Sequence, residues 1–415
     1  MRAPLRPLDD ALEALLAAVN SVGESESVTT LHAHGRILAQ DVIAGMDVPG
    51  FDNSAMDGYA FAVDDLSMAE GRSLRVSQRV AAGHAPEPLE RGTCVRIFTG
   101  APLPAGADTI VMQEDCVVKG ERIEVGGEVR RGQMVRLRGE DISRGQVVLT
   151  AGTCLSAADL GLAASLGVAS LPVVRPVRVA LFSTGDELKM PGEVEPQDMP
   201  PGAIYNSNRF FLHALLTQMG CVVTDMGVVP DQLSATQAAL AGAAQEHDLI
   251  LTSGGVSVGE EDHVKPAVDS QGALELWSIA LKPGKPFAYG HVRRAGGGQT
   301  HFIGLPGNPV SSYVTFAVLV RPFLRKLQGA AQWLVQPMAL QANFAWEKAG
   351  KRREFLRVRR NASGGLDLYP NQGSGVLTSL AWADGLVDNP AGKTIAYGDT
   401  VRFVSMASLF APEHQ

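Results

Sequence analysis

The sequence predicts a multidomain α/β protein built around a three-layer domain, in which a mostly parallel sheet carries helices on both faces. Three observations predict it. From Arg178 onward, short apolar runs alternate with helix-length segments of 3.6-residue periodicity. Before that, Leu74 to Val148 is a succession of short β runs broken by glycine, an all-β insertion. After it, Gln336 to Leu409 returns to β runs with Gly and Pro turns, a small separate barrel or sandwich.

Composition bounds the function. The 415 residues allow two to four domains, and 45% hydrophobic with 19% charged residues is ordinary for a globular chain. A net charge of −8, from 36 basic and 44 acidic residues, argues against a nucleic-acid binder, so any anionic ligand must be held by local groups. Cys94, Cys116, Cys154 and Cys221 form no C-x-x-C pair, which suits a reducing cytoplasm. Asp9, Asp10 and Glu13 interrupt what would be a signal peptide's apolar core. The longest weakly charged run, Ala151 to Val174, reads as a buried helix and strand rather than a membrane span.

Taken in order, Leu8 to Val19 has apolar residues at helical spacing and is an amphipathic helix. Val42 to Pro49 reads as a strand leading into Phe51-Asp-Asn-Ser-Ala-Met-Asp-Gly-Tyr-Ala60, whose Phe51, Met56 and Tyr59 suit a packed loop better than a solvated one. The insertion's strands are Leu74–Val80, Cys94–Phe98, Thr109–Gln113, Arg122–Val125 and Gln146–Leu149. Ala157 to Leu166 is helical. The alternating region then reads as strand Arg178–Ser183, helix Asn206–Met219, strand Cys221–Val229, helix Ser234–Glu246 and strand Leu249–Leu251. A helix after Asp262, strands Leu274–Leu281 and His301–Leu305, and a long helix Val310–Leu327 complete it; Asn308 is its expected N-cap and Pro309 its first residue. In the tail, Lys351-Arg-Arg-Glu-Phe-Leu-Arg-Val-Arg-Arg360 is expected to be an exposed edge strand guarded by charge, with Phe355, Arg357 and Arg359 on one face.

In a parallel sheet, ligands bind beyond the carboxyl ends of the strands. Here those ends carry Glu187, Asp231, the Thr252-Ser-Gly-Gly255 loop with Asp262, Lys282 with Lys285, and Pro306-Gly-Asn-Pro309. Bare amides at Gly254 and Gly255 suit a phosphate, and the acids that follow suit a hard cation. Five such loops on one rim predict a phosphate- or oxyanion-binding site.

The combination resembles the molybdopterin molybdenumtransferase family, the MoeA proteins and gephyrin E domains, over nearly the full length. The resemblance rests on Asp52-Asn-Ser-Ala-Met-Asp-Gly-Tyr-Ala60, Thr99-Gly-Ala-Pro102, Arg138-Gly-Glu-Asp141, Ser183-Thr-Gly-Asp-Glu187, Ser253-Gly-Gly-Val-Ser-Val-Gly259 with Asp262, Lys282-Pro-Gly-Lys-Pro286 and Leu305-Pro-Gly-Asn-Pro309. It implies an elongated subunit of four parts. These are a helical domain from residues 1–46 and 146–177, a β-rich insertion over 47–145, the α/β molybdopterin-binding domain over 178–328 and a C-terminal β-barrel over 329–415. It also implies a cytoplasmic homodimer whose active cleft lies between the α/β domain of one subunit and the insertion of the other. The adenylylating enzyme and molybdoenzyme chaperones are the transient partners it suggests; nucleic acid and membrane are not expected.

The reaction implied joins molybdate to the dithiolene of adenylylated molybdopterin and releases AMP. Asp57, Thr99, Asp141, Glu187, Asp231 and Asp262 are the candidate catalytic residues, with Glu187 and Asp262 as Mg²⁺ ligands. Ser253, Gly254, Gly255 and Ser257 would cradle phosphate, and Lys282 and Lys285 would supply point charges. Pro306, Asn308 and Pro309 would face the oxyanion, with Arg352 and Ser374 arriving from the C-terminal domain. No nucleophile–histidine pair is evident in these motifs, so in-line attack by an oxyanion is the simpler mechanism. The alternatives are a molybdopterin adenylyltransferase, which shares the α/β domain, and a non-catalytic scaffold.

Overall fold

The structure is a computed structural model and describes residues 5–255 and 263–410. The chain divides into two compact units, one of Met1–Gln40, Ala151–Leu160 and Ser170–Gln415, the other of Asp41–Thr150 and Gly161–Ala169.

At the centre of the first unit is a six-stranded sheet. Its strands, in chain order, are β1 (Arg178–Thr184), β2 (Val222–Val229), β3 (Leu249–Ser253), β4 (Gly272–Ser278), β5 (Pro286–Arg293) and β6 (Gln299–Leu305). They lie side by side as β2-β1-β3-β6-β5-β4. The first four are parallel; β5 is antiparallel to both β6 and β4. β5, which the sequence pattern does not announce, carries Gly290 at its centre. A Cβ at Gly290 would fall 2.1 Å from the Ala273 carbonyl oxygen, so close strand approach is what demands glycine. With β5 reversed, β4 points the same way as the parallel strands. The carboxyl ends of β1, β2, β3, β4 and β6 therefore share one rim.

Both faces of the sheet are covered, which is why β3 is buried at every position. On one face Leu181, Leu251 and Ile303 pack against Leu212 and Leu216 of α2 (Ser207–Gln218) and Val310 and Val314 of the helix that starts at Pro309. On the other, Phe182, Ile250 and Phe302 meet Leu240 and Ala244 of α3 (Leu233–Glu246) and Ala267 and Val268 of α4 (Val264–Gln271). The first helix of the chain, α1 (Leu8–Ala17), joins the first face through Leu8, Ala11 and Leu15 instead of belonging to a separate helical domain. Elsewhere the segments expected to be helical hold two short antiparallel ladders, Ser25–Thr29 with Ser170–Val174 and Val42–Ile43 with Val147–Leu149, and the helix Ala157–Ser165. Ser-Glu-Ser-Val-Thr has the β-branched and hydroxyl character that disfavours a helix.

The long helix begins at Pro309 and continues to Leu327, with a π-helical turn at Phe316–Val320. Asn308 takes the N-cap position in extended conformation, but its side chain makes no capping bond. The expected cap is replaced: the Val310 N–H donates 3.0 Å to the Ser374 carbonyl.

A second six-stranded sheet, formed mostly by the chain beyond residue 337, holds Leu281–Lys282, Arg353–Arg360, Gly385–Asn389, Thr400–Ser405 and Met338–Gln341 side by side, with Leu366–Leu368 pairing Arg353–Arg360. The basic strand is thus not an exposed edge. It pairs on both sides, Phe355 enters the first core, and Leu356 and Val358 enter a second one. Arg357 is 1% exposed. Its guanidinium donates to the Phe355 and Gly373 carbonyls and to Ser379 Oγ, and burial lowers its pKa to about 10.

The second unit is a six-stranded sheet of its own, in the order Thr109–Met112, Gly58–Phe61, Thr93–Ile97, Ser73–Val80, Arg122–Val125, Cys116–Lys119. Gly58–Phe61 is buried throughout, so the packed segment expected around Tyr59 is a central strand.

Candidate functional site

The rim of the central sheet is assembled by glycines and by one asparagine. Where β3 ends, Gly254 and Gly255 adopt φ of +91° and +65°, a left-handed path that glycine takes without strain. The Gly254 N–H donates 3.1 Å to the Leu305 carbonyl, which fixes the loop to the end of β6. A Cβ at Gly254 would sit 3.0 Å from the Thr184 carbonyl, and one at Gly255 2.6 Å from Thr184 Oγ1. The Lys282-Pro-Gly-Lys-Pro286 loop packs equally closely, since a Cβ at Gly284 would fall 2.3 Å from Thr315 Oγ1. Loops after β1, β3, β4 and β6 are thus stitched together through positions where no side chain fits.

Asn208, in the first turn of α2, was not anticipated. Its Nδ2 donates 2.7 Å to Ser253 Oγ and 2.7 Å to the Gly307 carbonyl. It ties the glycine loop to the Pro306-Gly-Asn-Pro309 turn. The available signal was Tyr205-Asn-Ser-Asn208, read only as a helix start, although a polar residue on an inward helical position asks for a partner. Pro306 is buried, Asn308 exposed and Pro309 half-buried. Ser374 reaches this turn through its carbonyl, as described above.

The acids gather at the ends of β1 and β2. Glu187 is exposed and its carboxylate folds back over Gly185, where a Cβ would lie 2.5 Å from Oε2. The Asp231 N–H donates to Asp186 Oδ1 at 3.5 Å, which adds Asp186 to the set. Among the described residues no lysine or arginine pairs with the carboxylates of Asp186, Glu187 or Asp231, and no group of three or more His, Cys, Asp or Glu forms a complete cage. Mg²⁺ is usually held by one or two carboxylates together with substrate phosphates, so an unneutralised, open carboxylate set of this kind fits it. Ser183 Oγ and Thr184 Oγ1, buried beside the glycine loop, have no hydrogen-bond partner, which points to a polar ligand at this rim. Asp262 and Ser257 lie outside the described residues.

The cations are placed differently from expectation. Lys282 Nζ donates 2.6 Å to Glu354 Oε1, and Glu354 also accepts from Trp346 Nε1 at 2.6 Å. Glu354 is nearly fully buried while Lys282 is half-exposed, leaving two of the lysine's three donors available. Arg352 Nη1 donates 3.1 Å to the Leu281 carbonyl, so Arg352 and Lys282 meet at the same strand pair. Lys285 is exposed. Glu354 was missed; a lone acid inside a basic run was its only sign.

In the second unit, Asp57 Oδ1 accepts from both the Thr99 N–H and its hydroxyl, each at 2.8 Å. These bonds, first the backbone one and then the hydroxyl, with the Arg96 charge added, hold the Asp57 carboxyl below its ordinary range. Gly100 and Ala101 pair with Ser54, and the Arg138 N–H donates 2.7 Å to Asp52 Oδ1, so the three motifs of this unit share one framework. Asp141 is exposed, its N–H bound to the Val48 carbonyl.

Comparison with known proteins decides the family. Residues 6–167 match the MoeA N-terminal region (domain I and II), 180–326 the probable molybdopterin binding domain, and 339–406 the MoeA C-terminal region (domain IV). A molybdopterin molybdenumtransferase of Haemophilus influenzae is 40% identical over 84% of this chain and 85% of its own length. This chain belongs to the MoeA family. It is a transferase of molybdenum cofactor biosynthesis, and its fold is the multidomain α/β fold of that family. A molybdopterin molybdenumtransferase of Nostoc is 35% identical over 92% of the chain and 88% of its own length. The crystal structure of the molybdopterin biosynthesis MoeA protein of Pyrococcus horikoshii superposes with a TM-score of 0.84 at 29% identity, covering 97% of this chain and all of that one.

Proposed function

We propose that this MoeA-family chain inserts molybdenum from molybdate into adenylylated molybdopterin with release of AMP, using Mg²⁺ bound between its carboxylates and the substrate phosphates. The observation that carries this reading is the rim itself: a glycine cradle with unpartnered buried hydroxyls beside carboxylates that no cation neutralises. A phosphoanhydride satisfies the first half and a hard cation the second. Bound there, Mg²⁺ would neutralise charge on the phosphate oxygens, with Glu187 and Asp262 as its ligands.

The residues of the chain act by position and charge. The Ser253 hydroxyl and the Gly255 N–H present donors to phosphate, while the Gly254 N–H is taken by the Leu305 carbonyl and shapes the loop. Lys282, Arg352 and Lys285 offset the charge of two anions brought together. Attack by a molybdate oxygen on the adenylyl phosphorus forms a P–O bond as the anhydride P–O bond to the molybdopterin phosphate breaks. The dithiolene sulfurs then take molybdenum from this adenylyl–molybdate, AMP leaving with the bridging oxygen and one oxo group leaving as water with the two thiol protons. Neither step needs a protein nucleophile. Asp57, held ionised by Thr99, would orient substrate or water from the insertion of a second subunit, so a homodimer with a shared cleft is part of the proposal. So are the C-terminal sheet as a closed barrel, a cytoplasmic setting and transient contacts with the adenylylating enzyme and molybdoenzyme chaperones. Among the described residues no helix is long and apolar enough to cross a membrane.

The test is single-turnover AMP release from adenylylated molybdopterin with molybdate and Mg²⁺. Wild type should release AMP only when molybdate is present, and Glu187→Gln should slow release about a hundredfold or more, the loss typical of removing a charge-stabilising group. A wild-type protein that binds the substrate but releases no AMP would refute the reading. ATP consumption with metal-free molybdopterin would replace it by adenylyl transfer.

A further inference from the structure

We propose that Asn208 is a positioning residue that sets the direction of the Ser253 hydroxyl, turning it into an obligate hydrogen-bond donor for an oxyanion at the glycine loop. The Gly307 carbonyl, 2.7 Å from the side-chain amide of Asn208, can only accept, so the group facing it is the NH₂ and the amide orientation is fixed. The same nitrogen lies 2.7 Å from Ser253 Oγ. Its second hydrogen therefore goes to the serine oxygen, and Ser253 accepts. The serine's own hydrogen is left for something else. Ser253 is 3% exposed and no acceptor in the described protein takes that hydrogen.

The surroundings name the class of ligand. Ser253 directly precedes Gly254 and Gly255, which bring no side chains of their own to the loop. Thr184 Oγ1, buried and unpartnered, packs against the loop, 2.6 Å from where a Gly255 Cβ would be. A hydroxyl hydrogen with no acceptor among the described residues, beside the Gly255 N–H, favours an acceptor-only group, a phosphate or another oxyanion, over a ligand hydroxyl or amine. This deepens the reading above and depends on it only for the identity of the anion.

The experiment is AMP titration by calorimetry into full-length wild type, Asn208→Ala, Ser253→Ala and the double variant, with melting temperature as a check on folding. Each single change should weaken AMP binding about tenfold, as loss of one hydrogen bond to a charged group does. The double variant should be little worse than either single, because both remove the same oriented donor. Asn208→Asp keeps the volume but offers Ser253 an acceptor, so the hydroxyl turns away from the ligand. It should bind AMP about a hundredfold more weakly than wild type, and adding Ser253→Ala to it should cost nothing further. Losses that multiply in the double variant would reduce Asn208 to a loop tether and overturn the proposal. Equal affinities for Asn208→Asp and Asn208→Ala, or no measurable AMP binding by wild type, would overturn it as well. A protein that shows the coupled losses yet releases no AMP in turnover would refute the proposed reaction and leave this inference standing.

Discussion

His301 on β6 shows how burial gives a residue a measurable signature. Its ring is stacked on Tyr289 and lies edge-on to Phe323, with Nδ1 3.1 Å from the Tyr289 hydroxyl. Burial, helped by the positive charge of His291, lowers its pKa from 6.5 to about 4. Between those values the unfolded chain binds the proton and the folded one does not, so the neutral-ring contribution is complete above pH 6.5 and is lost as pH falls towards 4. The loss amounts to roughly 3 kcal/mol. Denaturant titrations of wild type and His301→Phe at pH 7 and pH 4.5 should show the variant losing less stability on acidification; equal losses would count against burial of a neutral ring. At this scale the sequence was a good guide to residue types and a poor one to partners. Glu187, Ser253 and Gly254 could be picked from their motifs, and Ser374 only from a looser resemblance. Asn208 and Glu354 could not, because what makes them matter is a contact 45, 72 or 99 positions away. Arg357 misled for the same reason: an arginine reads as exposed until carbonyls from another segment are found around it.

The elements were legible wherever one periodicity ran undisturbed. β1 and β3 alternate their apolar residues between two cores, and α2 and α3 each present one buried stripe. The reading failed where chemistry interrupted the pattern. β5 carries Gly290 and His291, and Arg353–Arg360 carries four arginines, yet both are interior strands because their neighbours supply what the side chains lack. The same dependence on neighbours makes Gly284 a test of how the rim loops are held. Its φ of +117° and the 2.3 Å approach of Thr315 Oγ1 leave no room for a methyl group. Gly284→Ala should destabilise the protein by about 2–4 kcal/mol through strain and overpacking, seen as a lower denaturation midpoint with unchanged slope. Gly392→Ala, at a positive φ but with nothing within 4 Å of the new Cβ, should cost only about 1 kcal/mol. Equal costs would mean that the Lys282–Pro286 loop is not packed on the helix as described.

At the scale of the whole molecule, the candidate residues fall into two compact units, Asp57, Thr99 and Asp141 in one and Glu187, Asp231, Ser253 and Lys282 in the other. The alternation of strands and helices made the second group legible as one rim, since strand direction decides which loops meet. Nothing in a linear pattern says which copy of the first group faces it, because that is a matter of symmetry and not of local propensity. The proposed homodimer answers this in a way that can be measured. If each cleft takes its insertion from one subunit and its α/β rim from the other, Asp57→Ala and Glu187→Gln are inactive alone but not together. A mixed dimer then carries both lesions in one cleft and neither in the other. Random reassociation makes half of the dimers mixed, so co-unfolding and refolding the two variants should restore about a quarter of wild-type AMP release. Clefts built within single subunits would each keep one lesion in every combination, and mixing would restore nothing.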